Sequence, residues 1–184
     1  MRVVGGRLRG RNLASPASRE IRPTADRLRE ALFNILFHAY DDPVTDARVI
    51  DAFAGTGALG IEALSRGARF ALFIDNGAEA RALLRQNVES LGLGGVSKVW
   101  RRDATEPGPA HPMEPFKLAF LDPPYGKGLA EKALAALRAG GWLMPQALVV
   151  VEEARKPGFV VPEGFTELER RAYDDTEFVI LRAA

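Results

Sequence analysis

The chain has 184 residues, 25 Lys and Arg against 24 Asp and Glu, a formal net charge of +1, 47% hydrophobic residues and no cysteine. That length and apolar content suit one domain with a sizeable core, and the lack of Cys excludes disulfide frameworks, thiolate metal sites and cysteine nucleophiles. His38 and His111 are the only imidazoles; neither has a partner at ligand spacing, so no metal is expected. No apolar run approaches the length of a membrane span, and the opening MRVVGGRLRGRNL has no signal-peptide core, which predicts a cytoplasmic protein without a membrane partner.

Charge is unevenly spread. Residues 1–29 hold eight Arg against Glu20 and Asp26, a net of +6, whereas residues 30–184 carry −5. In residues 1–13, Gly5-Gly6 lies between two short apolar stretches, which predicts a small β-hairpin. Arg2, Arg7, Arg9 and Arg11 alternate there with apolar or Gly residues, so several can share one face. Residues 14–22, with Ser15-Pro16 and with Arg19 and Arg22, read as an extended linker. This divides the chain into a basic arm, 1–22, and a main domain, 23–184.

The main domain opens on a helix. Thr24 follows Pro23 as a candidate N-cap, and Leu28, Ala31, Leu32, Ile35 and Leu36 recur on one helical face. Strands are predicted at 49–53, 70–75, 96–100, 118–122 and 147–153, with helices at 57–66, 77–91 and 127–139 between them. Nearly continuous apolar strands alternating with helices imply an α/β fold with a mostly parallel, Rossmann-like sheet flanked by helices. Residues 166–173 and 177–182 flank Asp174-Asp175 as a closing antiparallel hairpin, and the Pro- and Gly-rich stretch 104–116 reads as a loop.

Two motifs carry chemistry. The first runs from Asp51 to Glu62 and contains Gly55, Gly57 and Gly60 at a strand-to-helix junction, where glycine permits a sharp turn and close approach of a ligand. The spacing matches a dinucleotide fingerprint, and Asp75 lies where a ribose-binding acid belongs. A nicotinamide cofactor and S-adenosylmethionine therefore compete. Asp51 favours the second, because a carboxylate before the first glycine opposes pyrophosphate but suits a ligand carrying an ammonium and a sulfonium. Asp75 can accept both ribose hydroxyls, or cap the following helix. Asp103 can accept an adenine amine, or sit as a solvated acid. Asn76 and Ala104, their neighbours, are grouped with them as cofactor-binding residues.

The second motif is Asp122-Pro123-Pro124-Tyr125. Two prolines remove two donors and leave carbonyls exposed. Asp122 and the Pro123 carbonyl can each take one hydrogen of a planar exocyclic amine, aiming its lone pair at a methyl donor. Tyr125 offers a face on which a base can stack. Glu152-Glu153 reads as a solvent-facing strand end, and Ser65 and Ser90 lack a nucleophile-elbow context. The arm's arginines suit phosphate oxygens and base faces, although a solvated basic end with no partner would read the same way.

Together, Arg2–Arg11, Ile21–Leu36 with its Arg-Pro-Thr-Ala-Asp-Arg-Leu-Arg-Glu run, Asp51–Gly67 and Asp122–Tyr125 make the chain resemble the RsmD-type bacterial 16S rRNA guanine-N2 methyltransferases. These are class I enzymes that use S-adenosylmethionine as cofactor. The resemblance covers nearly the whole chain. It implies methylation of N2 of one guanine, conventionally numbered 966, with the assembled small subunit rather than naked RNA as substrate. It also implies that Asp51, Gly55 and Gly57 border the methionine part, Asp75 the ribose and Asp103 the adenine, with Asp122 and Tyr125 at the target base. Two departures stand out. Gly77 occupies a position where the family commonly has a second acid, and residues 154–165 are too short for the usual helix. Methylation of another amine (adenine N6 or a protein glutamine), nicotinamide-dependent redox chemistry and a non-catalytic RNA-binding assembly role are the competing readings. A monomer is expected, since no large apolar face goes unexplained.

Overall fold

Apolar runs with no polar face are stable only in a sheet covered on both sides. The computed structural model, which describes residues 1–16 and 23–184 (Pro23 and Thr24 as backbone only), has such a sheet. The expectations for Arg19, Arg22, the end of the linker and the Thr24 cap fall outside the described residues. The elements are α1 (Pro23–Ala39), β1 (Arg48–Asp51), α2 (Ala58–Ser65), β2 (Phe70–Ile74), α3 (Ala78–Ser90), β3 (Ser97–Trp100), β4 (Phe116–Leu121), α4 (Leu129–Ala139), β5 (Leu143–Ala154), β6 (Phe165–Tyr173) and β7 (Thr176–Ala183). The strand order is β3-β2-β1-β4-β5-β7-β6. The first five strands are parallel, β7 runs antiparallel to β5, and β6 closes the edge antiparallel to β7.

Alternation along each strand sorts the core into layers. Val49, Leu118, Phe120, Leu148 and Val150 meet Leu32, Phe33 and Leu36 of α1 on one face. Ile50, Ala119, Leu121, Val149 and Val151 meet Leu134 and Leu137 of α4, and Trp142, on the other. Full burial of each such Leu or Phe stabilises by about 1.5–3 kcal/mol. No helix lies between β5 and β6, as the short 154–165 stretch predicts; the buried Phe159 and partly buried Val161 pack against that face instead. The edge strand β6 is largely exposed and carries Glu167, Glu169, Arg170 and Arg171, charges that discourage pairing with another chain.

The first 13 residues fold back as a broad antiparallel loop closed by a single Arg2–Asn12 bridge rather than a tight Gly5-Gly6 hairpin. Val3, Leu8 and Leu13 are buried against Ile61, Leu64, Leu84 and Val88, while Arg2, Arg7, Arg9 and Arg11 are exposed. Glu62, fully buried on α2, accepts the Val4 N–H at 3.0 Å and the Gly5 N–H at 2.9 Å. It also pairs with Arg29 and Arg66. Ser65 Oγ accepts the Leu8 N–H and donates to the Gly5 carbonyl. Gly6 fits only as glycine: its φ is +75°, and a Cβ would lie 2.0 Å from the Ser65 carbonyl oxygen.

Candidate functional site

The strand order reverses between β1 and β4, and ligands of open α/β sheets bind beyond the carboxyl ends of strands at such a point. Asp51 ends β1, and Asp122 follows β4 directly. The cleft there is lined by Phe53, Asp75, Asn76, Asp103, Ala104 and Pro124, among others. The fold therefore brings the expected nucleoside-binding residues from β2 and β3 together with the loop after β4.

Asp51 is buried. Its Oδ2 accepts the Gly60 N–H at 3.1 Å, which ties it to the first turn of α2, whereas Oδ1 has no hydrogen-bond partner among the described residues. Burial pushes its carboxyl up from 3.8 to about 7; the Gly60 N–H opposes the rise and the Asp75 charge adds to it. A buried acceptor left unpaired is costly, so this oxygen suits a ligand that brings a cation.

The three glycines serve different ends. Gly55 has φ +57° and open space where a Cβ would sit, so ligand can approach the backbone there. At Gly57 a Cβ would lie 2.3 Å from Leu84, and at Gly60 it would lie 2.4 Å from the Phe73 ring. These two permit close packing of α2 on β2 and α3. Asp75 joins two loops: Oδ2 accepts the Gly55 N–H at 2.9 Å and Oδ1 accepts the Gly77 N–H at 2.8 Å. Its capping and ribose-binding readings are compatible, because an ionised carboxylate has about four acceptor sites. The exposed Asp103 accepts the Thr105 N–H and hydroxyl on one oxygen, and these bonds hold its carboxyl below its ordinary value.

In the loop after β4, Pro123 is buried while Asp122, Pro124 and Tyr125 are exposed, Tyr125 to 42%. Two β5 residues hold this loop, and they correct the expectation that Glu152 and Glu153 face solvent. The Tyr125 hydroxyl donates to Glu152. Glu153, only 3% exposed, accepts the Gly126 N–H at 2.9 Å and the Ala154 N–H at 2.8 Å. Burial and the Glu152 bond hold the Tyr125 hydroxyl far above its usual value, and burial also raises Glu152. The signal for these residues lay in the order of strands. Leu121 pairs with Val151, and Asp122 and Glu152 are the residues that follow this last pair.

The arm reaches the same region. Asn87 of α3, 1% exposed, accepts the Ala14 N–H and donates to the carbonyls of Ala14 and Thr56. It thus joins the exit of the arm to the Gly55-Thr56-Gly57 turn. No functional reading of Glu62, Ser65 or Asn87 follows from sequence alone, because their partners in the arm lie 57–73 residues away.

The chain matches the family described as Conserved hypothetical protein 95 over residues 1–182. It is 39% identical over 158 residues to the ribosomal RNA small subunit methyltransferase D of Escherichia coli strain K12, covering 86% of this chain and 77% of that one. The protein of the same name from Haemophilus influenzae is 34% identical over 173 residues, 93% of this chain and 88% of that one. The solved structure of yhhF from Escherichia coli, described as a methyltransferase, superposes with a TM-score of 0.83 at 34% identity. That match covers 100% of this chain and 97% of yhhF.

Proposed function

The chain belongs to the Conserved hypothetical protein 95 family, the RsmD family, and on that premise we propose that it methylates the exocyclic N2 of a guanine in 16S rRNA of the small ribosomal subunit. S-adenosylmethionine supplies the methyl group in this reading. The observation that supports it is that Asp122-Pro-Pro-Tyr125 follows β4 at the switch point, with Pro124 lining the same cleft as Asp75 and Asp103. The names of the relatives support the RNA substrate.

In this reading each wall of the cleft has a distinct task. The unpartnered Oδ1 of Asp51 takes the ligand's ammonium, and Gly55 leaves room for its approach. Asp75 accepts the ribose hydroxyls on its remaining lone pairs, with Asn76 beside it, and Asp103 and Ala104 border the adenine. Asp122 and the Pro123 carbonyl take the two amine hydrogens, so the nitrogen lone pair faces the methyl carbon. As the N–C bond forms, the C–S bond pair stays on sulfur as a neutral thioether. The nitrogen sheds one proton to Asp122 or water. The Tyr125 ring, its hydroxyl tethered by Glu152, provides the stacking face.

The arm's exposed arginines contact rRNA phosphates from the α2 flank. The enzyme acts in the cytoplasm as a monomer without a metal. Asp122→Ala is expected to abolish methyl transfer while leaving cofactor affinity within about twofold; full activity in that variant would end the assignment.

A further inference from the structure

An Asp-Pro-Pro-Tyr loop grips an amine but does not say which base carries it. Guanine and adenine both present an exocyclic NH2 to such a loop, and they differ in the adjacent ring atom. In guanine, N1 carries a hydrogen beside the 2-amine; in adenine, N1 beside the 6-amine is a bare acceptor. A site that selects guanine therefore needs an acceptor next to the group that holds the amine.

Glu152 stands in that place. The parallel pairing of Leu121 with Val151 sets the end of β4 beside β5, and Asp122 and Glu152 are the residues that follow this last pair in the two chains. Glu152 is half-buried and accepts the Tyr125 hydroxyl, so its carboxyl lies at the edge of the proposed stacking ring. The Asp122 charge acts on the same hydroxyl, which puts both carboxylates at one locus. The Tyr125 bond uses one of about four acceptor sites on an ionised carboxylate. Glu153, by contrast, is committed to the Gly126 and Ala154 amides.

We propose that Glu152 accepts the N1–H of the target base and thereby selects guanine over adenine. The inference rests on the guanine-N2 reading above. Adenine would set its N1 lone pair against the carboxylate, an unpaired and repulsive contact.

The test uses small subunits lacking the modification, with guanine or 2-aminopurine at the target position. 2-Aminopurine keeps the 2-amine but has a bare N1. For the wild-type protein, kcat/KM on 2-aminopurine subunits should fall at least about 100-fold below that on guanine subunits. Glu152→Gln keeps an acceptor for Tyr125 and offers an N–H to the bare N1, so the preference should narrow at least tenfold or invert. Equilibrium binding of both subunits without methyl donor should change in the same direction. Tyr125→Phe keeps the carboxylate and should retain the guanine preference. Wild-type activity within threefold on the two bases, an equal loss on both in Glu152→Gln, or a lost preference in Tyr125→Phe would overturn the proposal. If the wild-type protein leaves guanine subunits unmethylated, the functional reading falls and this inference with it, a result distinct from all three.

Discussion

Replacing Asp51 with Asn tests the cofactor wall at the point where burial and charge conflict most. Burial raises the carboxyl from 3.8 to about 7, a rise of roughly three pH units, or about 4 kcal/mol against the ionised form. Below about pH 4 the group is protonated in both folded and unfolded chains, and its contribution to stability is fully present. Between about pH 4 and pH 7 the unfolded chain releases the proton while the folded one keeps it, so stability falls. Above about pH 7 the loss levels off. The variant lacks this titration. Urea unfolding of both proteins from pH 4.5 to pH 8.5 should show the wild type losing about 3 kcal/mol relative to Asp51→Asn, the rest of the loss having occurred below pH 4.5. A cation beside Oδ1 favours the ionised carboxylate. Calorimetry should therefore show wild-type affinity for S-adenosylmethionine rising with pH up to about 7 and falling again above about 8 as the ligand's own ammonium loses its proton; the variant should bind more weakly and lack the rising limb. Stability curves that stay parallel within about 0.5 kcal/mol, together with unchanged affinity, would refute the reasoning.

The glycines should separate by effect. Gly60→Ala drives a methyl toward the Phe73 ring and should cost about 1–3 kcal/mol in chemical denaturation. Gly55→Ala meets no neighbour, costs about 1 kcal/mol for its positive φ, and should instead weaken cofactor binding. Glu62→Ala strands two arm amides and a buried Arg29; it should cost about 3–5 kcal/mol and speed hydrogen exchange at Val4 and Gly5. Deleting residues 1–13 would also remove Val3, Leu8 and Leu13 and so uncover Ile61, Leu64, Leu84 and Val88. Changing Arg2, Arg7, Arg9 and Arg11 together to Ala is thus the cleaner test of RNA binding. It should leave stability nearly unchanged and reduce the salt slope of subunit binding by about 2–3.

Much of the sheet is legible in the sequence because parallel strands are buried on both faces. FALFI at 70–74 and the core of 147–153 stand out as unbroken apolar runs. β5 begins earlier than that pattern suggests: the register slips between Phe116–Leu143 and Leu118–Leu148, and the exposed Met144-Pro145-Gln146 stretch hides the strand's start. The wall of the cleft formed by Asp75, Asn76, Asp103 and Ala104 is legible because its residues follow strand ends closely. Glu152 and Glu153 are not, since charge at a strand end ordinarily means solvent; here the neighbouring strand ends in a loop whose tyrosine hydroxyl and Gly126 amide need acceptors. The docking of the arm is equally hidden. Charge spacing shows which arginines point outward, but the acceptors that fix the arm, Glu62, Ser65 and Asn87, sit within α2 and α3.

The most direct measurement of the central claim is methyl transfer from radiolabelled S-adenosylmethionine into small subunits lacking the modification, followed by nucleoside mass spectrometry. The account predicts label in the RNA as N2-methylguanosine, absent with Asp122→Ala. Label on adenine N6, label in protein, or no transfer by a folded, cofactor-binding protein would contradict it.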